Sequence, residues 1–172
     1  MTIADATLPE FDQEMAKTRT MLERVPFEKD EWTPHAKSMK LGALARHIAG
    51  LPGWATVTLA QSEFDVSAAS NAPRPTINST EELLATFDAG VAAARAALAS
   101  ASDEDMKTDW TFRHGDQVIF TQPRAAVLRS AFLSHIIHHR AQLGVYLRMN
   151  DVELPPIYGP TADSAFPATA AQ

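Results

Sequence analysis

The 172-residue chain carries 15 Lys and Arg against 21 Asp and Glu, a formal net charge of -6, and has no cysteine. This length suits one domain able to bury about 70% of its unfolded surface, while the lack of cysteine excludes disulfides, thiolate nucleophiles and zinc-thiolate sites. The acidic balance disfavours nucleic acid and anionic membrane as partners, and because Asp5, Glu10, Asp12 and Glu14 interrupt the first twenty residues and no apolar run approaches the roughly 20 residues of a membrane span, a cytoplasmic protein is expected.

In chain order, Phe11, Met15, Thr18, Leu22 and Val25 follow 4-3-4-3 spacing and predict a helix over about 8–25, with Pro9 in its first turn. A second helix is predicted after Ser38 as N-cap, with Leu44, His47, Leu51, Trp54 and Thr58 on its inward stripe. Pro52, flanked by Gly50 and Gly53, should kink or break it one turn beyond His47. The connection 67–79 reads as a Ser/Ala/Asn/Pro loop that adds nothing to the core. Ser79 and Glu82 form a capping-box pattern ahead of a third helix with its seam at Leu84, Phe87, Val91, Ala94 and Leu98. Residues 110–113 and 117–121, around the turn-prone 114–116, predict a minor β-hairpin. The last helix is predicted from Pro123, with Leu128, Phe132, His135, His139, Gln142, Tyr146 and Met149 on one unbroken stripe pointing at the core. From about residue 154, Pro155, Pro156, Pro160 and Pro167 mark an extended tail placed to lie over an opening. The expected fold class is therefore all-α, a four-helix bundle with a minor hairpin, in one domain over residues 1–172.

The chemistry concentrates in the histidines. His135 and His139, four residues apart, share a helix face about 6 Å apart along the axis, and His47 on another inward stripe could complete a facial set. Spacing alone leaves open whether they hold an ion or are ordinary structural histidines. Neutral imidazole suits zinc, nickel, copper or iron, and three histidines without a carboxylate would leave coordination positions for water or substrate. The metalloprotease pattern is absent, because Ile136 stands where its general-base glutamate would be. Gln142 is placed to orient a ligand ring or a metal water, or to satisfy a buried backbone group. Arg140 and Arg148 are read as steering an anionic substrate or as solvated or ion-paired. His138 should point away from the 135/139 axis, His35 and His114 should be exposed, and Trp32, Trp54, Phe87 and Phe132 should be core or pocket wall.

Trp32-Thr33-Pro34, Ser38, Leu44-Ala45-Arg46-His47-Ile48 and the run from His135 through His138-His139-Arg140, Gln142-Leu143 and Tyr146-Leu147-Arg148 occur in an order that resembles the DinB/YfiT-like superfamily. The similarity extends to about Tyr158-Gly159-Pro160-Thr161-Ala162-Asp163, with Ala141 where many members carry glycine. The resemblance implies a four-helix bundle, one divalent metal ion per chain, zinc or nickel, with His47, His135 and His139 as its ligands, and a homodimer. Characterised relatives include transferases and an isomerase that use thiols such as bacillithiol, mycothiol or glutathione. The expected function is transfer or addition of an exogenous thiol to an electrophilic small-molecule substrate; the alternatives are metal-dependent hydrolysis and non-catalytic binding of a metal or small ligand.

Overall fold

The structure, a computed structural model, describes residues 1–69 and 76–164. The middle of the 67–79 connection and the end of the tail, Pro167 included, lie outside the described residues.

The first helix, α1 (Ile3–Leu22), begins five residues before the expected start. Its N-terminus is set by a capping box in which Thr2 Oγ1 accepts from the Asp5 N–H and Asp5 Oδ2 accepts from the Thr2 N–H, at 3.0 and 2.8 Å. Pro9 therefore sits inside the helix. Phe11, Met15, Thr18, Leu22 and Val25 are all buried, as their spacing requires.

The second expected helix is two. Residues Leu41–Gly50 form α2 and Pro52–Ala60 form α3, divided at Leu51, because Pro52 lacks the N–H that would continue the ladder. The helix begins after Lys40, which makes no side-chain cap, so Ser38 is not its N-cap. Gly42 in its first turn lies against Asp30: a Cβ there would meet Asp30 Oδ1 at 1.5 Å. The same carboxylate pairs with Arg46 at 2.8 Å, tying the approach loop to the helix that carries His47.

A short strand, β1 (Glu63–Asp65), and a single turn of helix, α4 (Val66–Ala69), precede α5 (Thr80–Ser100). Ser79 Oγ accepts from the Glu82 N–H, while the Glu82 carboxylate accepts from the Asn78 N–H instead of closing the expected box on Ser79. Leu83, Phe87, Ala94 and Leu98 are buried. Against expectation, α5 is by length and composition long and apolar enough to cross a membrane. Its hydropathy comes largely from alanine, and here it packs on α1, α2 and α3, with Asp88 and Arg95 paired to Arg19 and Asp12 of α1. Ile77, from the connection expected to stay outside the core, is buried.

After α6 (Asp103–Lys107), strands β2 (Asp109–His114) and β3 (Gln117–Pro123) form the expected hairpin. Gly115 turns it at φ 57°, a left-handed conformation that costs glycine little. The hairpin is part of a three-stranded sheet of order β1-β2-β3, since β1 pairs in parallel with β2, Phe64 opposite Phe112. Three residues without a β-branched side chain gave no strand signal.

The last helical run comprises α7 (Arg124–Val127), a π-helical segment over Leu128–Leu133 and α8 (Ser134–Met149). The fold is thus mostly helical with a small sheet, and its six α-helices of five residues or more among the described residues exceed the simple count of four.

Candidate metal centre

The wide π turn decides which residues of α8 face the core. In an uninterrupted α-helix, Leu128 and Phe132 would be continued inward by His135, His139 and Gln142. Instead the Ser134 N–H bonds the Arg129 carbonyl, five residues back, and the register slips by about one residue. The buried positions become Ile136, Arg140, Leu143 and Leu147. The expectation that the histidine stripe points at the core is corrected accordingly: His135 and His139 are half-buried at its edge, and Gln142 is exposed.

From that edge they meet α2. His47, half-buried one turn before the α2/α3 break, brings its Nε2 to 3.3 Å from His135 Nε2, and His139 Nε2 lies 2.8 Å from the same atom. The three ligand atoms all fall within 4.8 Å of one another. The His47 and His139 rings meet edge to face, their centroids 4.5 Å apart.

Hydrogen bonds on the far side of two rings fix what they present. His135 Nδ1–H donates to the Ala131 carbonyl at 3.3 Å, and His139 Nδ1–H donates to Gln142 Oε1 at 2.7 Å. Each neutral ring then turns an Nε2 lone pair toward the other. Burial and the neighbouring His139 hold His135 below the ordinary histidine pKa, which favours its neutral form. Two lone pairs at 2.8 Å repel unless a proton or a cation lies between them. In a tetrahedral site with bonds of about 2.1 Å, neighbouring nitrogens stand about 3.4 Å apart, so the His47–His135 pair already has nearly this spacing and the His135–His139 pair needs a small opening. The donor set fits a divalent cation.

Other sequence-predicted residues fall into place around this cluster. His138 is exposed and off the triad axis, touching His139 only edge-on, and His35 and His114 are exposed. Trp32 packs edge to face on Tyr146 at 5.4 Å, forming a half-buried aromatic wall along the histidine stripe. Arg148 pairs with Asp163 in the tail. Arg140 is 3% exposed and pairs with the buried Glu14 at 2.6 Å, so it is not a surface arginine. Tyr158 joins this pair: its hydroxyl donates to Glu14 Oε2 and accepts from Arg140 Nη2, both at 2.6 Å. Sequence reading missed the network because Glu14 is 126 positions from Arg140.

The family model of the DinB family matches residues 2–168. Among solved structures, a DinB-like protein from Bacillus subtilis is similar at 20% identity and a TM-score of 0.68, over 88% of this chain and 96% of that one. A DinB-like protein from Bacillus cereus is similar at 21% identity and a TM-score of 0.67, over 88% and 95%. No curated protein matches the chain in sequence.

Proposed function

The chain belongs to the DinB family, and on that premise we propose that it is a divalent-metal enzyme that transfers or adds a low-molecular-weight thiol to an electrophilic small molecule. The observation that carries this reading is the convergence of His47, His135 and His139 through their Nε2 atoms, with two of the rings fixed by Ala131 and Gln142. Zinc or nickel is the proposed ion. A cation held there would supply positive charge that favours the anionic form of a thiol near neutral pH.

The chain's own residues account for the rest. Neutral imidazoles add no negative charge to offset the cation's. Gln142 holds His139 in one tautomer and orientation. Half-burial of the triad keeps one side approachable, which favours a reactive site over a closed structural one. The chain has no cysteine, so the sulfur must arrive on a cosubstrate, and Trp32 with Tyr146 offers an apolar surface along the stripe against which an electrophile can rest.

The test is to strip the protein with chelator, reload it with zinc or nickel, and measure conjugation of bacillithiol, mycothiol and glutathione to a soft electrophile. At least one thiol should react faster with loaded protein than without it, and chelation should abolish the gain. A cobalt-substituted form should develop sulfur-to-metal charge transfer with that thiol. Neither turnover nor the band across the panel would overturn thiol transfer in favour of metal-dependent hydrolysis.

A further inference from the structure

Across α8 from the triad lies a cavity of about 270 Å³. Ile137, Ala141 and Gly144 line it from the helix, about half a turn around from the His135 and His139 stripe, with the core residues Ile136 and Leu143 on the arc between. Met21 of α1 closes one side, and the tail segment 154–161 forms the roof with Leu154, Pro155 and Ile157. The walls are therefore almost wholly apolar.

The roof is held in place by its own bonds, so the space is built into the fold. Thr161 Oγ1 donates to the Leu154 carbonyl and the Leu154 N–H donates to Asp163 Oδ2, both at 2.9 Å, while Asp163 is in turn paired with Arg148. In the middle of the roof, the Tyr158 hydroxyl is fixed between Glu14 and Arg140. The space is half open to solvent, with Ala141, Tyr158 and Gly159 exposed at its mouth, and its apolar walls give water there few partners. An apolar cavity of roughly 150 Å³ is enough to take benzene, so this volume suits about two fused rings or a branched hydrocarbon of similar size.

The polar corner decides the charge of the occupant. The Arg140 guanidinium is matched by the Glu14 carboxylate; its Nη1 also donates to the Glu14 carbonyl at 3.1 Å and to Thr18 Oγ1 at 3.2 Å, and its Nη2 donates to Tyr158. The Tyr158 proton is given to Glu14. The Nη donors of Arg140 are thus all taken, and Lys17, which shares Glu14 at 3.3 Å and lies 3.9 Å from the Tyr158 ring centroid, is not among the residues that line the cavity, so an incoming carboxylate would lose its hydration against apolar walls without a free donor in the lining. We infer that this cavity is a second binding site, for a neutral apolar molecule of about two rings. It lies across the helix from the metal centre and does not rest on the proposed reaction.

Indole and indole-5-carboxylate serve as probes in titrations of the full chain followed by nuclear magnetic resonance. Indole should bind with a dissociation constant on the order of 1 mM or tighter, and should show intermolecular Overhauser contacts to the methyl groups of Ile137, Leu154 and Ile157 in the wild-type protein. Ala141→Leu, which fills the space from an exposed helix position, should weaken indole at least tenfold, and the carboxylate should bind at least tenfold more weakly than indole. Absence of contacts to Leu154 and Ile157 at saturating indole would overturn the inference, as would unchanged affinity in folded Ala141→Leu or equal affinity for the carboxylate.

Discussion

His139 presents Nε2 to its partners because Gln142 takes the proton on its other nitrogen. Replacing Gln142 with Ala should therefore lower zinc or nickel affinity by about 10-fold while leaving the fold intact, since removing the partner of a ligating histidine typically costs 10–100-fold. Titration of the metal-stripped variant by calorimetry checks this, and an unchanged affinity would assign Gln142 to the surface alone. Glu14 offers a second test. Burial pushes its carboxyl upward, but hydrogen bonds from Tyr158 and Arg140 and the charge of Arg140 outweigh that and hold it below the ordinary glutamate value. Its stabilising contribution is thus complete above the unfolded-state value near 4.5 and is lost as pH falls through the lower folded value. Glu14→Gln, which leaves Arg140 buried without its counter-charge, should cost roughly 3 kcal/mol at pH 7 in urea unfolding, and its deficit against wild type should shrink below about pH 4.5. A deficit unchanged between pH 7 and pH 3 would contradict the assignment. The histidines were legible because helical spacing and family motifs are local features of the sequence. The partners that bury Arg140 were not, because nothing near position 140 points to Glu14 or Tyr158.

Among elements, the π segment has the largest consequence. Periodicity read Leu128 through Met149 as one unbroken inward stripe, and that reading holds only as far as Phe132; beyond it the buried set moves to Ile136, Arg140, Leu143 and Leu147. A wide turn leaves no compositional mark, so the slip could not be seen in the spacing. Deleting Ser130, an exposed residue inside that segment, should remove the extra residue and close the turn to a regular α-helix, with Leu128 and Ile136 then seven positions apart and still on one face, so the melting temperature should stay within a few degrees of wild type. A loss of about 2–4 kcal/mol, the scale of displacing a buried aliphatic side chain, would mean that the turn does not hold one extra residue. The start of α2 is equally constrained. Gly42→Ala would drive a methyl into the Asp30 carboxylate and should cost about 1–3 kcal/mol. Adding Asp30→Ala should recover part of the loss, because the two positions share one contact; additive losses would argue against the clash. The α2/α3 break, by contrast, was legible, since Pro52 acts through covalent geometry wherever it falls in a helix.

At the scale of the whole molecule, two helices that meet at the histidines are separated in sequence by 88 positions between His47 and His135. An ion bound only by the folded arrangement stabilises it by mass action: about 2.7 kcal/mol at a free concentration 100 times the dissociation constant. For a chain of this length that corresponds to a rise of roughly 5–10 °C in melting temperature, expected in wild type and in His138→Ala but much reduced in His139→Ala. The mostly helical class was legible from four amphipathic stretches, whereas the third strand, the divided helix and the tail's hold on Tyr158 depend on contacts between distant segments. The most direct measurement is calorimetric titration of chelator-stripped wild type, His138→Ala and His139→Ala with zinc and with nickel. The expected result is one tightly bound ion per chain in wild type, affinity largely kept in His138→Ala and lost in His139→Ala; no tight binding in wild type, or equal losses in the two folded variants, would contradict the metal centre.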